Sequence, residues 1–361
     1  MVVPNESRII YLEDRSGAET DDQCGMKYWW NRLEGGKGIV PKADQLALMV
    51  GKQSHEDLAN LAEMTDISKG ALQEVVAGHL ANLTDDDRAN TPAMELLYRR
   101  LGWFVAFGLF VEPKIRTRYE DIGIEKEIIL DRDPLYVPCQ PDRLLKSRAH
   151  DTIHYLEYKS TISASLKWQQ SWTFAIQMHI GIKAASEEIE QKVHYGQVMG
   201  MMKGYAKDGK LRHPYVWAYY NHQRNEWSAE YHAGMDWVLM PVWEYPDGIV
   251  AWVEKLGEEV ANSQFPLSPP IFLDERKLDE WVTRRLRRQR AVRLVKGNCQ
   301  IDLGKRAIYF ERRLRSCRPP FGDPCPYLLC CHNAQAELDP IGTGAYVPRQ
   351  PHHDINEEDI S

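Results

Sequence analysis

An α/β fold is what the 361-residue sequence predicts, and three observations carry that expectation. Two runs, YVPCQPDRLL at 136–145 and IHYLEYKST at 153–161, crowd Tyr, Val, Ile, Leu and Thr on either side of the polar, turn-like KSRAHD, which reads as a β-hairpin. Directly afterwards the period changes: WQQSWTFAIQMHIGIKAASEEIEQ at 168–191 sets Trp172, Ala175, Ile176, His179 and Ile180 on a 3.6-residue stripe, the pattern of an amphipathic helix. A second strand pair, HPYVWAYYN at 213–221 and EWSAEYH at 226–232, is expected to extend the sheet. Helices are expected over 245–265 and 278–294, on either side of the breaker LSPP.

In chain order, DDQCGMKYWWNRLEGG at 21–36 places Cys24 at the opening of a helix rich in aromatic and basic residues. In LALMVGKQSHEDLANLAEM at 46–64, Leu58, Leu61 and Ala62 follow at helical spacing, so His55 is expected in the early turns of an amphipathic helix. Residues 65–100 read as helical, with TDDDRANTP as a turn, and IGIEKEIIL reads as one strand entering the sheet before Asp142. Near the C-terminus RSCRPPFGDPCPYLLCC at 315–331 groups Cys317, Cys325, Cys330 and Cys331, whereas Cys139 and Cys299 look structural. One domain is expected over 1–335. The tail 336–361, with six acids against Arg349, reads as flexible.

The chemistry centres on charges placed where a strand has no need of them. Asp142 follows Pro141 at a strand start, and Glu157 and Lys159, two apart, share one face of the next strand. Two carboxylates and an ammonium on neighbouring strands form an oxygen-rich site for a hard divalent cation, with a cation beside it. Such an arrangement suits phosphodiester cleavage: the metal polarises the phosphate and acidifies a water, and the Lys orients that water or offsets growing charge.

Composition narrows the partners. No run of about 18 apolar residues occurs and the start lacks the pattern of a secretory signal, so a cytoplasmic protein without membrane spans is expected. Seven Cys, clustered late in the chain, point to a metal site and away from a disulfide framework. The net charge of -7 argues against nucleic acid, but its distribution argues for it. Between 276 and 318 there are fifteen Lys and Arg against four acids, a stripe suited to a phosphate backbone, with Arg284, Arg285, Arg287 and Arg288 at its centre. The competing reading of that stripe is a solvated helix face.

PD at 141–142, a hairpin, then EYK at 157–159 resembles the motif of the PD-(D/E)XK nuclease superfamily. GKQSHEDL resembles the GxxxHxxLE element of its RecB-like branch in Gly51, His55 and Leu58, with Ala59 in place of the usual acid. QMHIG resembles the QxxxY element in Gln177, with Gly181 in place of Tyr, and Glu127 falls where a supporting acid often lies. The helix opened by Cys24 resembles the start of RecB- and AddB-type nucleases, and CPYLLCC resembles their C-terminal cysteine element.

The resemblance implies a restriction-endonuclease-like mixed sheet flanked by helices and a DNA exonuclease of recombination or repair, of phage or host, working with DNA ends and a recombination protein. It further implies Mg or Mn held by His55, Asp142 and Glu157, with Lys159 and Gln177 completing the catalytic set. A [4Fe-4S] cluster, or Zn in its place, would be held by Cys24, Cys317, Cys325 and either Cys331 or Cys330. A catalytically degenerate DNA-binding protein of the same fold and a structural zinc protein are the competing classes.

Overall fold

The computed structural model describes residues 11–12, 24–33, 38–161, 165–202, 215–221, 226–228, 235–241, 248–301, 310, 317 and 325–349. From the N-terminus run β1 (Tyr11–Leu12), helix α1 (Gly25–Tyr28) with a π-helical continuation Trp29–Leu33, β2 (Ile39–Pro41) and α2 (Lys42–Glu63). Three helices follow, each started by a polar cap that satisfies free backbone donors. Ser68 caps α3 (Lys69–Ala81), a Thr84–Asp87 capping box starts α4 (Asp85–Ala89), and Asn90 with Pro92 starts α5 (Thr91–Ala106). Through a π segment, Phe107–Val111, α5 continues into α6 (Glu112–Arg118).

The strands β3 (Tyr119–Ile124), β4 (Ile128–Arg132), β5 (Leu135–Cys139), β6 (Arg143–Ser147) and β7 (Ile153–Thr161) come next. Helices α7 (Leu166–Ser171) and α8 (Ile176–Glu188) lead to β8 (Val193–Met202). The remainder is β9 (Tyr215–Asn221), β10 (Glu226–Ser228), β11 (Asp236–Pro241), α9 (Gly248–Ser263), α10 (Glu275–Ile301), α11 (Leu328–His332), α12 (Ala334–Leu338) and β12 (Tyr346–Pro348).

The fold is mixed α/β, built on a sheet ordered β3-β6-β7-β8 and flanked by helices. The pairs β3·β6 and β6·β7 are antiparallel and β7·β8 is parallel. A parallel pair needs a crossover, which α7 and α8 supply. Period two divides the sheet's side chains between two cores. Leu145, Leu156, Tyr158, Met199 and Met201 enter one core with the helical residues Leu58, Leu101, Phe107 and Trp252. Their neighbours Leu144, Tyr155 and Val198 enter the other, with β4, β5, α8 and Trp281 of α10. The free edge of β8 is covered by the extended segment 264–271, with Gly196 donating to the Ile271 carbonyl at 2.8 Å and Gly200 to that of Pro266 at 2.7 Å.

Several sequence expectations are corrected. The run 136–145 is two strands in two sheets, because Pro141 has no N–H with which to continue a ladder; β5 pairs with β1 and β4, whereas β6 joins the main sheet. IGIEKEIIL is likewise broken, at Glu125, into β3 and β4. The expected turn TDDDRANTP contains α4, and the helix expected to reach 191 stops at Glu188 so that β8, unanticipated, can begin. The second hairpin forms, but β9 and β10 build a separate sheet with β11; residues 213–214 and 229–232 lie outside the described residues.

Position 335 is no boundary either. Beyond it β12 pairs antiparallel with β2, Ala336 is buried, and Tyr346 is buried in one cluster with residues of α1 and β2. Residues 350–361 lie outside the described residues, as does the basic stretch 302–318 except for Phe310 and Cys317.

Candidate metal centre

Asp142 sits one residue before Arg143, which pairs with Leu156, so the β6–β7 register brings Asp142 across from Glu157. His55 comes from α2, well inside that helix and not in its early turns. Its Nδ1 lies 2.6 Å from Asp142 Oδ1, while the other Asp142 oxygen accepts the backbone N–H of Tyr158. Period two holds on β7, where Lys159 Nζ donates to Glu157 Oε1 at 2.6 Å. The second Glu157 oxygen accepts the Tyr155 hydroxyl at 2.6 Å.

One member of the site was not foreseen. Ligand atoms of His55, Glu125 and Asp142 all lie within 4.8 Å of one another. Glu125, and not Glu127, is the acid that joins that group among the described residues. Glu125 turns the chain between β3 and β4 with φ 46°, a left-handed conformation uncommon for a side chain of this kind and costly unless its surroundings hold it. Its N–H donates to the Asp142 carbonyl at 3.2 Å, and its own carbonyl accepts from Gln140 Nε2 at 2.9 Å. Its Oε1 is buried without a hydrogen-bond partner. The signal in the sequence was EKE, three charges interrupting a strand-like run.

The electrostatics are those of carboxylates crowded together. Burial pushes the Glu125 carboxyl up to about 9, with the Asp142 charge and hydrogen bond and the Glu157 charge adding to it. Burial also acts against charge on Asp142, but His55 and Lys159 outweigh it and hold this carboxyl below its usual range. His55 is raised: burial lowers it, and the neighbouring Asp142 more than reverses that. A divalent cation held here would offset the charge that these crowded carboxylates otherwise disfavour.

A buried ion-pair network stands behind the site. Arg143 is fully buried, with Nη1 2.5 Å from Glu112 Oε2 and Nε 2.7 Å from Asp121 Oδ1. Glu112 also accepts Arg116 Nε at 2.7 Å, and Arg116 Nη2 donates to the Leu61 carbonyl at 2.7 Å, near the end of α2. Charge-assisted bonds therefore tie the helix of His55 to the strand beside Asp142.

Gln177 lies half-buried in the first turn of α8. Gly181, where the similar element has Tyr, faces Tyr155 instead. A Cβ at Gly181 would lie 2.6 Å from the Tyr155 hydroxyl, so the missing side chain makes room for the ring that holds Glu157.

The basic helix is divided. Arg284 and Arg287 are exposed, Arg285 is buried, and Arg288 is half-buried with its guanidinium 5.1 Å from the centre of the Phe310 ring. A helix turned to bury Trp281, Val282 and Val292 also turns Arg285 inward, against the expectation of a DNA-facing arginine there, and brings Arg288 against Phe310.

The cysteines lie where residues 24–41 meet residues 325–348. Cys24, Cys330 and Cys331 are buried in one cluster with Trp29, Trp30, Tyr327 and Tyr346, and Cys325 packs against it. Trp30 Nε1 donates to Cys331 Sγ at 3.3 Å, and the Tyr346 side chain hydrogen-bonds Cys330. The Cys325 amide donates to the backbone carbonyl of the buried Cys317 at 2.8 Å; burial pushes the Cys325 thiol up, and nearby Cys317 and Cys24 add to it. None of these is in a disulfide, and among the described residues no three of them bring their sulfurs within 4.8 Å of one another. Cys139 is buried in the β5 core as expected, and the Cys299 side chain lies outside the described residues.

No helix among the described residues is long and apolar enough to cross a membrane. No protein-family model matches the chain, and no curated protein matches it.

Proposed function

We propose that the protein is a divalent-metal-dependent DNA nuclease, of the kind its resemblance to the PD-(D/E)XK superfamily implies. The observation that carries the proposal is the convergence of His55, Glu125 and Asp142 within 4.8 Å, beside the Glu157–Lys159 pair. The donor set, one imidazole and hard carboxylate oxygens, fits Mg or Mn. Either ion, when bound, would polarise a phosphate and acidify a water. His55, Glu125 and Asp142 would hold it, with Glu157 adjoining. Tyr155 fixes the Glu157 carboxylate, and Lys159, about a third exposed, orients the attacking water and offsets charge at the phosphate. Cysteines gathered at one junction, none of them in a disulfide, are the motive for an iron-sulfur cluster, or Zn, that Cys24, Cys317, Cys325 and Cys331 would hold, with Cys330 as the alternative. There the group would serve as a tie between the chain ends.

End-labelled single- and double-stranded DNA incubated with Mg or Mn tests the activity. Cleavage is expected, lost in EDTA and in Glu157→Gln and Lys159→Ala, with melting temperatures close to wild type. Activity persisting in EDTA, or in either folded variant, would refute the assignment. DNA binding without cleavage would favour the catalytically degenerate class.

A further inference from the structure

Two of the large hydrophobic side chains most open to solvent lie close together in sequence: Leu166 is 65% and Phe174 74% exposed. Both belong to the stretch between β7, which carries Glu157 and Lys159, and α8, which carries Gln177. Between them the half-buried Trp168 and Trp172 meet edge to face at 6.0 Å, and the buried Trp172 indole N–H has no hydrogen-bond partner among the described residues. Trp168 is anchored next to the candidate site. In the β7–β8 register Gly200 pairs with Lys159, and a Cβ at Gly200 would come within 2.9 Å of the Trp168 ring. Side chains paired across neighbouring strands share a face, so Trp168 covers the position beside Lys159.

The far end of the stretch meets positive charge. Lys277 Nζ donates to the Phe174 carbonyl at 2.8 Å and stands 5.5 Å from the centre of its ring. Lys277 belongs to α10, on which the exposed Arg284 and Arg287 follow after the exposed Asp279 and Glu280, and Arg276 lies 4.0 Å from Glu280. Aromatic faces beside a cation suit a strand with unpaired bases: the bases stack, and the phosphates meet Lys277 and, further along the helix, Arg284 and Arg287. A duplex keeps its base faces hidden and cannot use Phe174 in this way.

We propose that residues 166–174, with Lys277, form a stacking surface for the unpaired bases of single-stranded DNA entering the site; its use in cleavage rests on the nuclease function proposed above. The test is binding in EDTA, so that no cleavage intervenes. Oligothymidine and a blunt-ended duplex of equal length are titrated into wild type, Phe174→Ala and the control Phe272→Ala, reading tryptophan fluorescence and anisotropy.

Wild type is expected to bind oligothymidine with quenching of its tryptophans, and Phe174→Ala to bind it about tenfold more weakly, the loss of one stacked base. Duplex binding by Phe174→Ala, and all binding by Phe272→Ala, whose ring is 66% exposed elsewhere, should be unchanged. Equal loss on both DNAs, or no loss on oligothymidine, would overturn the proposal, the latter also if the segment instead covers a protein partner. Wild type that binds with quenching but cleaves nothing in Mg or Mn would sink the nuclease function and leave the stacking surface standing. Wild type that cleaves while Phe174→Ala binds normally would do the reverse.

Discussion

At the scale of single residues, geometry and not charge alone sorts the acids of this protein. Glu157 and Asp142 were legible in the sequence because a charge inside a β-pattern costs stability unless something repays it. Glu125 was not, because its membership depends on a left-handed turn that brings a residue 17 positions upstream against Asp142. Gly181 shows the same limit: its meaning lies in the Tyr155 ring, which reaches it from another element. Gly181→Ala should therefore displace that ring and free Glu157. A melting temperature lower by the equivalent of about 1–3 kcal/mol, typical of overpacking, is expected together with weaker Mn binding measured by calorimetry. Unchanged values for both would show that Tyr155 does not hold the carboxylate.

At the scale of elements, the basic helix was correctly located by its composition, yet composition could not say which arginines reach solvent. Burial of Trp281, Val282 and Val292 fixes its rotation, which leaves Arg284 and Arg287 outward and takes Arg285 inside. The four arginines should accordingly divide in experiment. Arg284→Glu and Arg287→Glu should fold normally and, where each loses a phosphate contact, lower the slope of log affinity against log salt by about one apiece. Arg285→Glu should instead be poorly soluble or unfolded, since it buries a carboxylate in place of a guanidinium, a loss of roughly 3–5 kcal/mol. A folded Arg285→Glu protein with the same reduced slope would return that residue to the DNA-facing set.

For the whole molecule, the chain ends are closed on each other by α1, β2, α11 and β12. Tyr327 donates to the Ile39 carbonyl at 2.8 Å and accepts from Asn31 Nδ2 at 2.7 Å, bonds that span nearly 300 residues. A metal tie across the same junction would add several kcal/mol by restricting the unfolded chain. Cys24→Ser should lower iron content and melting temperature as far as Cys325→Ser does, although the two lie far apart in sequence. Full metal content and stability in Cys24→Ser, with both lost in Cys325→Ser, would show Cys24 to be an ordinary buried thiol.

What the sequence by itself determined was local: Asp142 at the head of a strand, Glu157 and Lys159 on the next, the helical stripe that follows them, the late cysteines and the basic helix. These follow from period, propensity and composition, which act over a few residues at a time. Only the tertiary structure decided that 136–145 divides between two sheets, that β8 pairs parallel with β7, that Glu125 joins His55 and Asp142, and that residues 336–349 pack onto the N-terminal elements. Each of those depends on which distant surface covers an apolar face or meets a buried charge, and that partner is not encoded in the neighbouring residues.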